Sequence, residues 1–167
     1  DDRRDFLQGI AVLGEFTPAL CDAVMGRTDS DKMIDDLERS SLFVSRLEQG
    51  AWFRIHSLFA EYARLRLQAS QPGTAQSIHK HAALWLASRQ PIEAMAHANA
   101  AGESALVAEL LAAHHLALIR SGAGRTLVHW ARTLPDDVLI AFPDVAAASA
   151  ITTLLTSGGT TERTRYL

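Results

Sequence analysis

Apolar residues recur at helical spacing along most of the chain. Phe6, Leu7, Ile10 and Leu13 mark a first helix. Thr17-Pro18 gives a cap followed by proline at the first helical position, opening a short helix through Leu20, Ala23 and Val24 to a terminating Gly26. Thr28-Asp29-Ser30-Asp31 has the form of a capping box, and Met33, Ile34 and Leu37 form one stripe behind it. The period then changes. Leu42-Phe43-Val44-Ser45-Arg46-Leu47 is rich in strand formers, Glu48-Gln49-Gly50-Ala51 suits a turn, and Trp52-Phe53-Arg54-Ile55-His56 alternates again. This hairpin is the only β element the sequence predicts.

Helical spacing returns with Leu58, Phe59, Tyr62 and Leu65 on one face, opposed by Glu61, Arg64 and Gln68. Ser70-Gln71-Pro72-Gly73-Thr74 is the best internal boundary, giving domains over 1–70 and 71–167. Beyond it the pattern is helical and alanine-rich. Stripes run through Ile78, Ala82 and Trp85, through Ile92, Met95 and Ala96, and through Leu106 to Leu118. Further stripes follow through Leu127, Trp130 and Leu134, through Val138 and Leu139, and through Val145 to Leu155, ending at Gly158-Gly159. The predicted fold is mostly α: a winged helix of three helices plus a β-hairpin, followed by antiparallel helix pairs of tetratricopeptide-like type.

Composition narrows the function. Of 167 residues, 48% are apolar and 21% charged, the balance of a globular chain. No apolar run is long enough to cross a bilayer, and no secretory leader opens the chain, so no membrane partner is expected. The single cysteine, Cys21, cannot close an internal disulfide, which fits a cytoplasmic location. The net charge of -3 excludes a chain held on nucleic acid by bulk attraction. The chain begins at Asp1-Asp2 without methionine and stops at Tyr166-Leu167 within a helical pattern, so it reads as a piece of something longer.

A series of short blocks carries a family resemblance. It runs from Phe6-Leu7 and Leu20-Cys21-Asp22-Ala23-Val24 through Leu37-Glu38-Arg39-Ser40-Ser41-Leu42-Phe43 to Trp52-Phe53-Arg54-Ile55-His56-Ser57-Leu58-Phe59. His79-Lys80-His81-Ala82-Ala83-Leu84-Trp85, Glu93-Ala94-Met95-Ala96-His97-Ala98 and Trp130-Ala131-Arg132-Thr133-Leu134-Pro135 complete it. In this order the blocks resemble the middle of the MalT-like ATP-dependent LuxR-type transcription regulators, members of the STAND class of signalling ATPases. The resemblance implies a winged helix and the first sensor helices, lying between a nucleotide-binding domain and a distal helix-turn-helix. Neither a phosphate-loop motif nor a recognisable helix-turn-helix is present in this sequence.

The resemblance also singles out His56. It stands where STAND winged helices place a histidine that reaches the β-phosphate of bound ADP, with Ile55 in the methionine position and Ser57 in the aspartate position. The substitutions keep the donor and change what orients it. A hydrogen bond to a charged group contributes about 1.5–3 kcal/mol, enough to hold an ADP-bound state. The competing reading is a strand-end histidine bonded to backbone. ADP or ATP is thus implied for a parent protein and no cofactor for this chain alone. The implied partners are the nucleotide-binding domain, downstream sensor repeats, a small-molecule or protein inducer, and DNA only through the distal helix-turn-helix.

Other candidates carry less. Arg54 could support phosphate, but a solvated strand arginine accounts for it. The helix over 29–40 occupies the recognition-helix position, yet Lys32 and Arg39 face Asp29, Asp31, Asp35, Asp36 and Glu38, a balance that repels DNA. His79 and His81 diverge on their helix, as do His114 and His115, so no metal site is predicted. Ser121-Gly122-Ala123-Gly124-Arg125-Thr126 lacks the strand and lysine of a phosphate loop. Cys21 lies on an apolar stripe without a neighbouring base, and no reactive pair indicates an enzyme. A stand-alone winged-helix DNA binder and a helical peptide-binding adaptor remain as alternatives.

Overall fold

The computed structural model describes residues 2–40, 43–48 and 50–163, with the side chains of Pro72 and of 156–163 left aside. The chain packs as two compact units, Asp1–Ala101 and Gly102–Leu167. In the first unit α1 (Asp2–Leu13), α2 (Pro18–Met25) and α3 (Ser30–Arg39) precede β2 (Val44–Arg46) and β3 (Phe53–Ile55). Helices α4 (Ser57–Ser70), α5 (Pro72–Leu86) and α6 (Pro91–Ala100) follow. Three helices and a wing with helices after it agree with the predicted fold class.

A third strand completes the wing. β1 (Glu15–Phe16) lies between α1 and α2 and pairs antiparallel with β3, so the sheet order is β1-β3-β2. Two residues are too few for an alternating signature, which is why the sequence pattern passed over it. Gly14 makes the turn into β1 with φ +76°, and its carbonyl accepts from the Ile55 amide at 3.1 Å. Phe16 and Phe53, opposite in register, stack with ring centroids 6.2 Å apart.

Helix ends follow local chemistry. Thr17 Oγ1 accepts from the Leu20 amide at 3.1 Å, Pro18 opens α2, and Gly26 closes it in the left-handed conformation. The capping box at Thr28–Asp31 does not form. Asp29 precedes α3 but makes no side-chain cap; the Ser30 amide instead donates to Asp22 Oδ1 at 3.1 Å. Asp29 is taken by Arg27, whose Nε donates to it at 2.8 Å.

The core joins α1, β1, α2, α3 and the wing through Phe6, Ile10, Phe16, Leu20, Ile34 and Leu37, all nearly sealed from solvent. Burying each such side chain stabilises the unit by about 1.5–3 kcal/mol. Helix α4 docks on α1 through Ala60, Ala63 and Leu67. Its large apolar residues Leu58, Tyr62 and Leu65 stay exposed. Small residues let the two backbones approach, so the inward face is the alanine face, not the bulkier stripe. Helix α5 packs on α1, α2 and α4, and α6 packs on α5, so by packing the first unit continues through both.

The second unit comprises α7 (Ser104–Arg120), α8 (Gly124–Ala131), α9 (Asp136–Ile140) and α10 (Pro143–Arg163). Val107, Leu111, Leu127 and Val145 fill its interior. Gly122, at φ +79°, turns α7 into α8, so the Ser121–Thr126 stretch is a short helix connection running into the first turn of α8. Helix α10 continues through Gly158-Gly159 rather than stopping there.

Candidate functional site

The sheet delivers His56 to a defined place. β3 is the central strand, its alternation burying Phe53 and Ile55 and turning Arg54 outward. The next residue, His56, caps α4 in an extended conformation at φ -60°, ψ 129°. Its amide donates to the Phe43 carbonyl at 2.6 Å, and its carbonyl accepts from the Ala60 amide at 2.9 Å. The backbone is therefore pinned on both sides. The imidazole is exposed and makes no hydrogen bond among the described residues. His56 is thus bonded to backbone through its own amide and carbonyl, as the competing reading has it, while its ring remains available.

Phe43 is an unpredicted part of this site. Its backbone is left-handed at φ +63°, which non-glycine residues rarely adopt. The ring stacks on Phe59 with centroids 4.5 Å apart and planes 7° from parallel. That stack on α4 holds the Phe43 carbonyl against the His56 amide. Nothing in the residue pattern announces a phenylalanine in this conformation.

An open depression of about 680 Å³ surrounds the histidine, lined by Glu38, Phe43, Val44, Ser45, Arg54, Ile55, His56 and Ser57. Its other charged groups are committed. Arg54 donates twice to Glu15 Oε1, at 2.6 and 2.9 Å, across the β1–β3 pair. Glu38 accepts from Arg46 at 3.0 Å. A phosphate entering here would find one uncommitted imidazole at the head of a fourteen-residue helix, whose N-terminal dipole favours anions. Those residues fit a single contact to the edge of a nucleotide; they do not build a nucleotide pocket by themselves.

The remaining candidates fall into place around this site. The carboxylates of helix α3 are largely paired: Arg46 bonds to Glu38 and lies 3.9 Å from Asp35, and Arg39 lies 3.4 Å from Asp36. Arg27 bridges Asp2 and Asp29 and lies over the Phe6 ring; its guanidinium holds both carboxyls below their usual range. Cys21 is fully buried, and desolvation pushes its thiol far above the ordinary value. His79 and His81 do diverge, but His79 meets His97 of α6, with 2.8 Å between their Nδ1 atoms. Sequence spacing could not show that contact, because the two rings lie on different helices. Among the described residues no group of three or more potential ligands surrounds a metal position, and no helix is long and apolar enough to cross a membrane.

Comparison with known proteins extends the picture. Residues 1–75 match the family model of the MalT winged helix domain. The chain is 36% identical over 124 residues to the HTH-type transcriptional regulator MalT of Vibrio cholerae, covering 73% of this chain and 14% of that protein. It is 32% identical over 151 residues to the same regulator of Vibrio parahaemolyticus, covering 89% and 17% respectively. The regulator of Cronobacter sakazakii is 32% identical over 152 residues, covering 90% and 17%. The chain thus spans only about a sixth of the length of these relatives, which are transcriptional regulators by name.

Proposed function

Residues 1–75 are a MalT-type winged helix and the chain belongs to the MalT family of transcriptional regulators; from this premise we propose that the unit couples a nucleotide-binding domain to a helical inducer sensor. The observation that carries the reading is the exposed, uncommitted His56 imidazole at the β3–α4 junction. In the ADP-bound resting state its ring N–H donates to the β-phosphate. The nucleotide supplies the anionic group and this chain supplies one positioned donor. Losing that bond frees the wing to move away from the nucleotide-binding domain. The protein then acts as a transcriptional activator in the cytoplasm and reaches promoters through a distal helix-turn-helix. The chain itself is not an enzyme; slow ATP hydrolysis belongs to the nucleotide-binding domain.

Two features support the division of labour. The excess of carboxylates over Lys32 and Arg39 along residues 29–40, and the commitment of Arg39 and Arg46 to those carboxylates, disfavour a direct DNA role for this element. Ile151, Leu154 and Leu155 lie exposed at helical spacing on α10, a face suited to packing a further helix pair of the sensor, whose ligand is a small molecule or a protein. The test is His56→Ala in the full-length protein. ADP release should quicken by roughly tenfold, as expected for one lost charge-assisted bond, and basal transcription should rise. Unchanged ADP retention together with unchanged basal transcription would refute the coupling. A salt-dependent shift of duplex DNA by this chain alone would favour a stand-alone DNA binder instead.

A further inference from the structure

We propose that His79 and His97 form a two-histidine chelating site for a divalent transition-metal ion of the Cu(II), Ni(II) and Zn(II) class, linking α5 to α6. This is independent of the reading of His56. One ring comes from the middle of α5 and the other from the last turn of the neighbouring α6, with Nδ1 atoms 2.8 Å apart, centroids 5.0 Å apart and planes inclined by 43°. Fully buried Ala82, Ala83, Ala94 and Ala98 flank them and allow the close helix approach that brings the nitrogens together. The rings themselves are half-buried, so solvent reaches them and water can fill the remaining coordination positions.

The distance is close to the bite of a cis chelate. Two nitrogens bound cis at about 2.0–2.1 Å, with a right angle at the metal, lie about 2.9 Å apart, whereas tetrahedral binding spreads them to about 3.3 Å. Square-planar or tetragonal Cu(II) and Ni(II) therefore need the least movement, with Cu(II) bound most tightly. Without metal, two nitrogen lone pairs this close need a proton between them, so one ring carries Nδ1–H and the other accepts. Metal entry moves that proton to Nε2 of the same ring, through water, which frees both Nδ1 lone pairs without changing the net proton count. Burial lowers the proton affinity of both rings, so protons compete less with a metal than at an exposed histidine. Arg64 on α4 is the charged group acting on His79 and opposes an added dication. With only two protein ligands, the site is an exchangeable one, unlike a closed structural centre.

The test titrates the EDTA-stripped chain with copper(II) sulfate in a non-chelating buffer, followed by calorimetry and thermal melting. Expected are one Cu(II) per chain at micromolar affinity and a rise in melting temperature of a few degrees that EDTA reverses. His79→Gln and His97→Gln should each weaken binding at least tenfold, while His114→Gln and His129→Gln leave it unchanged. Wild-type affinity in either of the first two variants overturns the site. The wild-type chain gives a second readout that needs no variant. Paramagnetic broadening of NMR signals by Cu(II) should centre on His79 and His97, and broadening centred elsewhere also overturns it.

Discussion

The first unit fills its centre with Phe6, Phe16 and Phe53 beside Ile10 and Leu20, whereas the second buries Val107, Leu111, Leu127 and Val145, with Trp130 at the margin. Flat rings such as the Phe16–Phe53 pair fit only one way, and they fix a small sheet against three helices. Aliphatic side chains between helices fill volume with less demand on shape. The contrast teaches that the winged-helix unit is specified by geometry and the helical unit mainly by size. Substitutions that keep volume but change shape should separate the two.

The largest separation is expected from Phe16→Met, which keeps most of the volume but loses the flat ring stacked on Phe53, and should destabilise the first unit by about 2–3 kcal/mol. The conservative Leu127→Met in the second unit should cost less than about 1.5 kcal/mol. Denaturant melts of the two variants check the order. Equal losses would break the distinction.

Acid should act next, and through the first unit. His97 is driven down to about 4, first by burial and then by His79, from an ordinary 6.5. A base with a lowered folded value contributes its full stability above 6.5. As the pH falls from 6.5 toward 4, the unfolded chain takes up protons that the folded chain refuses, and stability falls. The melting temperature should drop by several degrees across that window, and His97→Gln should flatten the dependence. Hydrogen exchange in α7–α10 is the internal control.

A pair of matched glycine substitutions sharpens the comparison at smaller scale. At Gly124 a Cβ would lie 2.7 Å from the Thr152 Cγ2 of α10, a branched side chain with little room to yield, so Gly124→Ala should cost about 1–3 kcal/mol. At Gly9 the obstacle is the end of Met25, which can swing aside, so Gly9→Ala should cost less. Thermal melts of both variants rank them. Smallest of all is Ser30→Ala. The Ser30 hydroxyl is buried with no hydrogen-bond partner among the described residues, so its removal should be neutral or stabilise by up to about 1 kcal/mol, measured by the same melts.

Much of this was legible in the residue order. Thr17-Pro18 and Gly26 bracket α2 as their chemistry requires, and the alternation through Trp52–His56 placed β3. What escaped depends on partners distant in sequence. β1 exists because β3 offers it a pairing edge, and the inward face of α4 was decided by how closely α1 could approach. The exposure of His56 was consistent with its position after the strand; the left-handed Phe43 that fixes its amide was not readable, because the stack on Phe59 forms only in three dimensions.

The central position of β3 has a mechanical consequence. Strands pair with it on both edges, Glu15 and Phe16 on one and Val44 to Arg46 on the other. Sliding β3 by one residue would break both ladders and exchange the inward Phe53 and Ile55 for the charged Arg54. His56 therefore cannot creep along its own strand. Any stroke that carries it toward or away from a ligand must swing the whole three-stranded paddle as one rigid piece, like the tooth of a gear.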